Sequence, residues 1–435
     1  MLTRHIKMRL LGIAALGLGC FGPGMWAKTW TVGKPNTGCP NPDYNTISAA
    51  VNAAGSGDTI EVCPALYAEQ LLIAKPLILR GLSEQGIGRV LIQPALMIPL
   101  GGLQAVAVIT VMNTAGVTIQ NFAVDAGDNS TTGCTVAVSG IHFYNSSGTV
   151  DNDAVSGARL SNPLSCPTLF PGNGFGVQID QDPNSTASFR VSVWNTSIRD
   201  FTRNGILVVG SGETADIEDN SIAGVGPSLG VNQFGVFLAT GARGLVARNI
   251  ITLGTCGAIS ISDCINLRSE GVVLRSAGEG VIIDGNTISN VQAGIFVNGA
   301  ANARVTGNTI GNVDALSAIH IQGSTSGMVL GNRIFHVGPF TADTASDEEG
   351  CGINDVSGTG SSANIIEANW INDAYCGVAY VSGDRLQLNV YQNTLFESLN
   401  GDNYPDSFPA PAEPAQAAPA RSQGQGLGRL LRDQQ

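Results

Sequence analysis

Charge is scarce in this chain: 13% of its 435 residues are Asp, Glu, Lys or Arg, against about 25% in ordinary soluble domains. Basic residues are the scarcer sign, 22 against 34 acidic, for a net charge of −12. That balance argues against nucleic acid as a partner. Low charge with 43% hydrophobic residues also excludes a disordered polar chain, because enough apolar surface is present to build a core. Histidine is rare and scattered, at His142, His320 and His336 beyond the first few residues, which disfavours metal delivery. No Cys-x-x-Cys pair supports a metal centre either. Past the N-terminus no run reaches 18 apolar residues, so no transmembrane span is expected in the mature chain.

What is abundant is glycine, with 56 residues, and asparagine, with 33. Both break helices and favour turns, so a long helical bundle is excluded and many short strands joined by tight turns are expected.

Residues 1–27 open with Arg4, Lys7 and Arg9, continue through an apolar core from Leu10 to Leu18 and end near Ala27. This is the pattern of a secretory signal, placing the protein in the periplasm, at the cell surface or in the medium. Met25 occupies a position where a small residue is usual, and the Leu16–Cys20 segment is a poor match to a lipoprotein signal. Without residues 1–27 the chain has 19 basic and 34 acidic residues, a net charge of −15. Eight cysteines then remain, and an even number in an exported chain favours disulfides. Pairing sequence neighbours gives Cys39–Cys63, Cys134–Cys166, Cys256–Cys264 and Cys351–Cys376.

Internal repetition is the dominant pattern. Residues 294–310 and 318–334 share an alternating apolar triplet, a small-residue turn, a second triplet, then Gly-Asn and a third short strand. The frame extends to Asn121, Asn152, Asn195, Asn220, Asn249, Asn286, Asn308, Asn332, Asn369 and Asn393, with a base period of 22 to 25 residues lengthened by insertions. Three short strands per repeat bury one face each, so repeats must stack to close a core. A stacked coil with parallel strands and a ladder of asparagine side chains, each suited to a left-handed turn, satisfies the pattern. Leucine-rich repeats need fixed leucines that are missing, and propeller blades need units about twice as long.

Here the sequence resembles the right-handed parallel β-helix proteins of the pectin-lyase-like group. The resemblance rests on Tyr44–Pro64, Leu66-Tyr67 and Leu77–Gly81, and on the Gly-Asn repeat from about 117 to 397. It implies an all-β, single-stranded right-handed β-helix with an N-terminal capping helix. Independently, Ile47, Ala50, Val51 and Ala54 have the spacing of a short amphipathic helix over 45–54, with Asn45 or Thr46 as its N-cap. The expected organisation is a signal peptide at 1–27, cap and first turn at 28–82, β-helix at 83–404 and a low-complexity tail at 405–435.

In that group the substrate cleft runs along the sheet built from the strands that open each repeat. Alternation places His142, Tyr144, Gln178, Asp180, Leu207, Val209, Phe237, Val273, Arg275, Phe296, Asn298, His320, Gln322 and Asn354 on its outer face. Arg275 and His320 are the candidate catalytic residues. Phe237, Phe296, Asn298, Gln322 and Asn354 are candidate substrate contacts, since Arg pairs with carboxylates and aromatic faces stack on sugar rings. Long insertions at 157–173, 253–270 and 336–350 all precede an opening strand and should line one rim. The last carries Asp343, Asp347, Glu348 and Glu349, a possible general acid or Ca²⁺ site.

The signatures of polygalacturonase-type hydrolases, pectin methylesterases and alginate epimerases are absent. The expectation is therefore an exported β-helix that binds or processes polysaccharide or a cell-surface glycan along its first sheet. If it is an enzyme, lyase-type elimination with Arg275 as base is the concrete mechanism. The alternative is a non-catalytic surface or periplasmic binding scaffold.

Overall fold

The computed structural model describes residues 27–34, 39–83, 89–127, 136–159, 174–226, 231–255, 268–314, 316–338, 350–356, 363–380 and 384–392. Nearly every described element is a short strand, and all pairings between strands are parallel. Three sheets result: sheet A with 13 strands, sheet B with 12 and sheet C with 11. A single repeat shows how they are wound. The chain runs Ala293–Asn298 in sheet C, Arg304–Thr306 in sheet A and Thr309–Asp314 in sheet B, then returns as Ile319–Gln322, which pairs with Ala293–Asn298. Each repeat is thus one rung of a solenoid, as the periodicity predicted.

The rungs stack because their inward residues repeat in register. Ile295, Val305 and Ile310 of one rung lie beside Ile319, Val329 and Ile334 of the next, and all are buried. One continuous core extends from Val32 to Val378. The capping helix closes its N-terminal end. It spans Ile47–Ala53 with Thr46 as N-cap, whose side chain accepts from Ala49 N. Glu69 supplies the rest of the cap, accepting from Ile47 N and Ser48 N, each at 2.9 Å. No described helix is long and apolar enough to cross a membrane.

The asparagine ladder is present at the turn from sheet A to sheet B, with a corrected frame. Asn220, Asn249, Asn286, Asn308, Asn332, Asn369 and Asn389 each pass a side-chain amide hydrogen bond to the next, at 2.9–3.0 Å. Each of the seven also donates to a carbonyl of the preceding rung. Asn389 is the last ladder asparagine among the described residues; Asn393 lies outside them. Asn121, Asn152 and Asn195 stand one residue too early. They adopt the left-handed turn, with φ of 67°, 55° and 49°, and the ladder positions after them are Phe122, Asp153 and Thr196. The ladder asparagines themselves are not left-handed; the residue before each is, including Arg248, Ala368 and Leu388. Turn conformation and ladder bonding are therefore divided between two adjacent residues.

The other recurring device is a glycine at the corner where sheet B passes into sheet C. Gly140, Gly176, Gly205, Gly235, Gly271, Gly294, Gly352 and Gly377 occupy it, with Val108 and Ala318 at the equivalent position in two other rungs. A Cβ on Gly235 would lie 2.5 Å from the Gly271 carbonyl oxygen and 2.6 Å from Ile251 Cγ2. The backbone of one rung here touches both its neighbour and the core, which leaves no volume for a side chain.

Two of the four expected disulfides are described, Cys39–Cys63 and Cys351–Cys376. Cys134, Cys166, Cys256 and Cys264 lie outside the described residues.

Asp153 substitutes an acid for an amide in the ladder. One oxygen accepts from Phe122 N at 2.6 Å, while Oδ2 is buried without a partner among the described residues. Burial holds its carboxyl well above the ordinary carboxylate range. The unfolded chain ionises near its usual value and the folded chain does so only at much higher pH, so stability is lost as pH rises between the two. Asp153→Asn should raise stability by about 1–2 kcal/mol at pH 8 and change it little at pH 4. Thermal melts of the two proteins across that range test this.

Candidate functional site

The outer face of sheet C carries three columns of side chains, each rung about 4.8 Å from the next. The first runs Leu72, Thr110, His142, Gln178, Leu207, Phe237, Val273, Phe296, His320, Asn354 and Ala379. The second runs from Met112 through Tyr144, Asp180, Val209, Ala239, Arg275 and Asn298 to Gln322. These are the columns that alternation predicted, in the predicted register.

A third column was not legible from alternation. It holds Ala107, Ser139, Phe175, Asn204, Phe234, Glu270 and Ala293. Counting by twos from His142 or Val273 gives Gly140 and Gly271 instead. The corner glycine takes the inward direction, since a Cβ on Gly271 would meet Ile288, so the residue before it faces outward. The signal was present as the residue preceding a glycine at a fixed offset in each repeat. Cys351 and Cys376 follow the same rule, each preceding a corner glycine, and their disulfide closes this column.

Two clusters form on the face. In the central one Phe234, Val273 and Phe296 are buried and Phe237 packs on them. The Phe234 and Phe237 rings are 5.2 Å apart, Phe296 meets His320 edge-on at 5.0 Å, and the Arg275 guanidinium is 5.8 Å from the Phe237 ring. Glu270 is only 2% exposed. Arg268 Nη1 approaches its Oε1 at 3.7 Å, and Oε2 has no hydrogen bond among the described residues. Burial pushes the Glu270 carboxyl up to about 7, with Arg268 and Arg275 pulling in the opposite direction. The same burial, aided by the charge of Arg268 and opposed by Asp355, takes His320 down to about 4. Burial lowers Arg203 as well, with Arg275 acting in the same sense. Three guanidinium groups therefore share one patch of an acidic protein with Glu270, whose carboxyl is half-ionised near neutrality. His320 is uncharged there.

The second cluster lies three to four rungs toward the N-terminus. His142 Nε2 is 2.8 Å from Asp180 Oδ1. Gln178 Nε2 donates to Asp180 Oδ2 at 2.6 Å, and Gln178 Oε1 accepts from Ser139 Oγ at 2.7 Å. Tyr144 lies edge-on to His142, and its hydroxyl is raised by burial and by Asp182 and Asp180. Beneath this cluster Glu213, on the inward register of sheet A with Ala215 and Ile217, is buried with neither oxygen paired among the described residues. Burial, then Asp180, raises it to about 8.

The predicted residues divide as follows. Arg275 and Gln322 are exposed, Phe237, Asn298 and His320 half-buried, and Phe296 buried. Asn298 Nδ2 donates to Gln322 Oε1 at 3.3 Å. Asn354 takes its predicted column but is completely buried, which corrects its assignment as an exposed contact. His142 is also buried rather than solvent-facing. Asp343, Asp347, Glu348 and Glu349 lie outside the described residues. The chain on either side of each long insertion runs from sheet B to sheet C, so all three insertions arise at the corner beside this face.

Residues 251–405 match a family model described as the right handed beta helix region. The chain is a right-handed parallel β-helix repeat protein. Solved structures similar to it include the A-module of mannuronan C-5 epimerase AlgE6 from Azotobacter vinelandii, at 14% identity over 79% of this chain and 93% of that one, TM-score 0.48. Another is the GH136 lacto-N-biosidase from Eubacterium ramulus, at 9% identity over 86% and 68%, TM-score 0.49. A third is the polygalacturonase from Erwinia carotovora ssp. carotovora, at 11% identity over 86% and 96%, TM-score 0.42. No curated protein matches the chain.

Glu270 gives the site a pH signature. Its folded pKa is raised, so its effect on stability is smallest below the unfolded value near 4.5, grows as pH rises, and levels off above about 7. The loss amounts to on the order of 3 kcal/mol. Glu270→Gln should melt at a higher temperature than the parent at pH 8 and at nearly the same temperature at pH 4. Parallel melting curves at both pH values are the check.

Proposed function

We propose that sheet C is a binding face for an extended anionic saccharide chain, gripped across the rungs from Leu207 to His320. The observation that carries this reading is the gathering on one in-register face of Arg275, 5.8 Å from the Phe237 ring, Arg268 beside Glu270, and Arg203, near enough to Arg275 to feel its charge. A rung spacing of about 4.8 Å is close to the length of a sugar unit, so successive residues of an extended glycan meet successive rungs. Phe237 offers a ring face, and the guanidinium groups receive carboxylate or sulfate groups bidentately.

A guanidinium group is a donor with no acceptor capacity, so Arg275 is assigned to anion binding and to the neutralisation of a uronate carboxylate. Proton transfer in a lyase-type elimination falls to Glu270, which titrates near neutral pH. In the alternative reading the same face is a non-catalytic binding lane. We place the protein outside the cytoplasm, where the Cys39–Cys63 and Cys351–Cys376 bridges are maintained.

A glycan array probed with the mature chain should give signal on uronate or sulfated polymers that weakens with added salt. Arg275→Ala should reduce affinity about tenfold. Loss of signal selectivity, or an unchanged affinity in that variant, would refute the assignment. Ultraviolet absorbance from unsaturated products on pectin, alginate and glycosaminoglycans distinguishes a lyase from a binding scaffold. If it is a lyase, Glu270→Gln abolishes the product while binding persists.

A further inference from the structure

At the N-terminal end of sheet A, one carboxylate collects three donors. Lys28 N donates to Asp58 Oδ1, and Trp30 Nε1 and Gly55 N donate to Oδ2, all at 2.8 Å. The rest of Lys28 is anchored as well. Its carbonyl accepts from Thr59 N at 2.9 Å, and its Nζ sits 3.2 Å above the Trp30 ring. Ordered pairing with sheet A starts at the following residue, in strand Thr29–Val32. Ala27, by contrast, makes no hydrogen bond among the described residues, although Ala27 and Lys28 are both exposed. Fold anchoring therefore begins at Lys28, at the point where the leader pattern ends.

We propose that the peptide bond between Ala27 and Lys28 is hydrolysed and that the α-ammonium so created seats on Asp58, locking the first strand. Hydrolysis consumes one water. The Ala27–Lys28 C–N bond breaks, the carboxylate leaves with residues 1–27, and the Lys28 nitrogen becomes a protonated amine. The donor already directed at Asp58 Oδ1 stays in place and gains a full charge, which strengthens a hydrogen bond to a carboxylate. The existing bonds, Lys28 N–H foremost, hold the Asp58 carboxyl below its usual range, so it is ionised when the cation forms. Asp58 in turn raises the α-amine above its ordinary 7.7–8.0. The added stability is then fully present below about pH 8 and is lost as pH rises through the higher folded value.

Two measurements test this without reference to the saccharide reading. N-terminal sequencing and intact mass of the exported protein should give Lys28 as the first residue; an uncut chain or another first residue overturns the proposal. The chain beginning at Lys28 should then be compared with the same chain acetylated at its N-terminus, which retains the N–H donor and loses only the charge. The acetylated form should melt about 2 °C lower at pH 7, and the difference should vanish above about pH 10 and in the Asp58→Asn background. Equal melting temperatures at pH 7 overturn the ion pair. If Asp58→Asn does not fold, the acetylation comparison and its pH dependence decide alone.

Discussion

The architecture depends on strict axial register between rungs. A parallel solenoid spaces its strands at about 4.8 Å, and a slip of one residue would turn every inward side chain outward. Two devices hold the register at two different corners. The asparagine ladder joins rungs through hydrogen bonds that each have a donor below and an acceptor above, in a buried setting where an unmade bond is costly. The glycine column acts sterically, allowing close backbone approach in the rungs where glycine stands. Where the ladder changes chemistry, at Thr196 and Asp153, the same backbone donors are still satisfied, so the geometry outlasts the residue type.

That register also creates the outer face proposed for binding. Columns of outward residues are continuous because the inner residues are stacked, so Arg275, Phe237 and Glu270 meet although they come from different rungs or opposite sides of a glycine. Burial of Glu270 and His320 then separates their protonation behaviour, one carboxyl titrating near neutrality beside an imidazole that remains neutral. Three guanidinium groups lying close together are electrostatically costly alone and favourable with an anionic polymer between them. The His142–Asp180 pair and buried Glu213 extend the titratable character several rungs farther, with a cost in stability that the long core absorbs.

Much of the architecture was legible because it is local and repeated. The rung period, the capping helix with Asn45 or Thr46 at its start, and the two outer columns followed from spacing alone, and the structure chose Thr46. The ladder frame was misread by one residue in its first three rungs, because asparagine suits both the left-handed position and the ladder position, and Asn121, Asn152 and Asn195 occupy the former. At the last rung Asn389 precedes the Asn393 expected from the average period.

The site was legible in part. Arg275, His320, Phe237 and Phe296 do gather on one face, yet Glu270, Arg268, Arg203 and Phe234 were missed and Asn354 is buried. The sequence by itself determined the solenoid, the direction of most side chains and the charge poverty of the surface, because two-residue alternation and a repeating turn act over short distances. Only the tertiary structure decided which way the residue before each corner glycine points, and which outer side chains are dry enough to change their protonation. Both depend on contacts between rungs separated by more than twenty residues, where packing rather than local spacing sets the outcome.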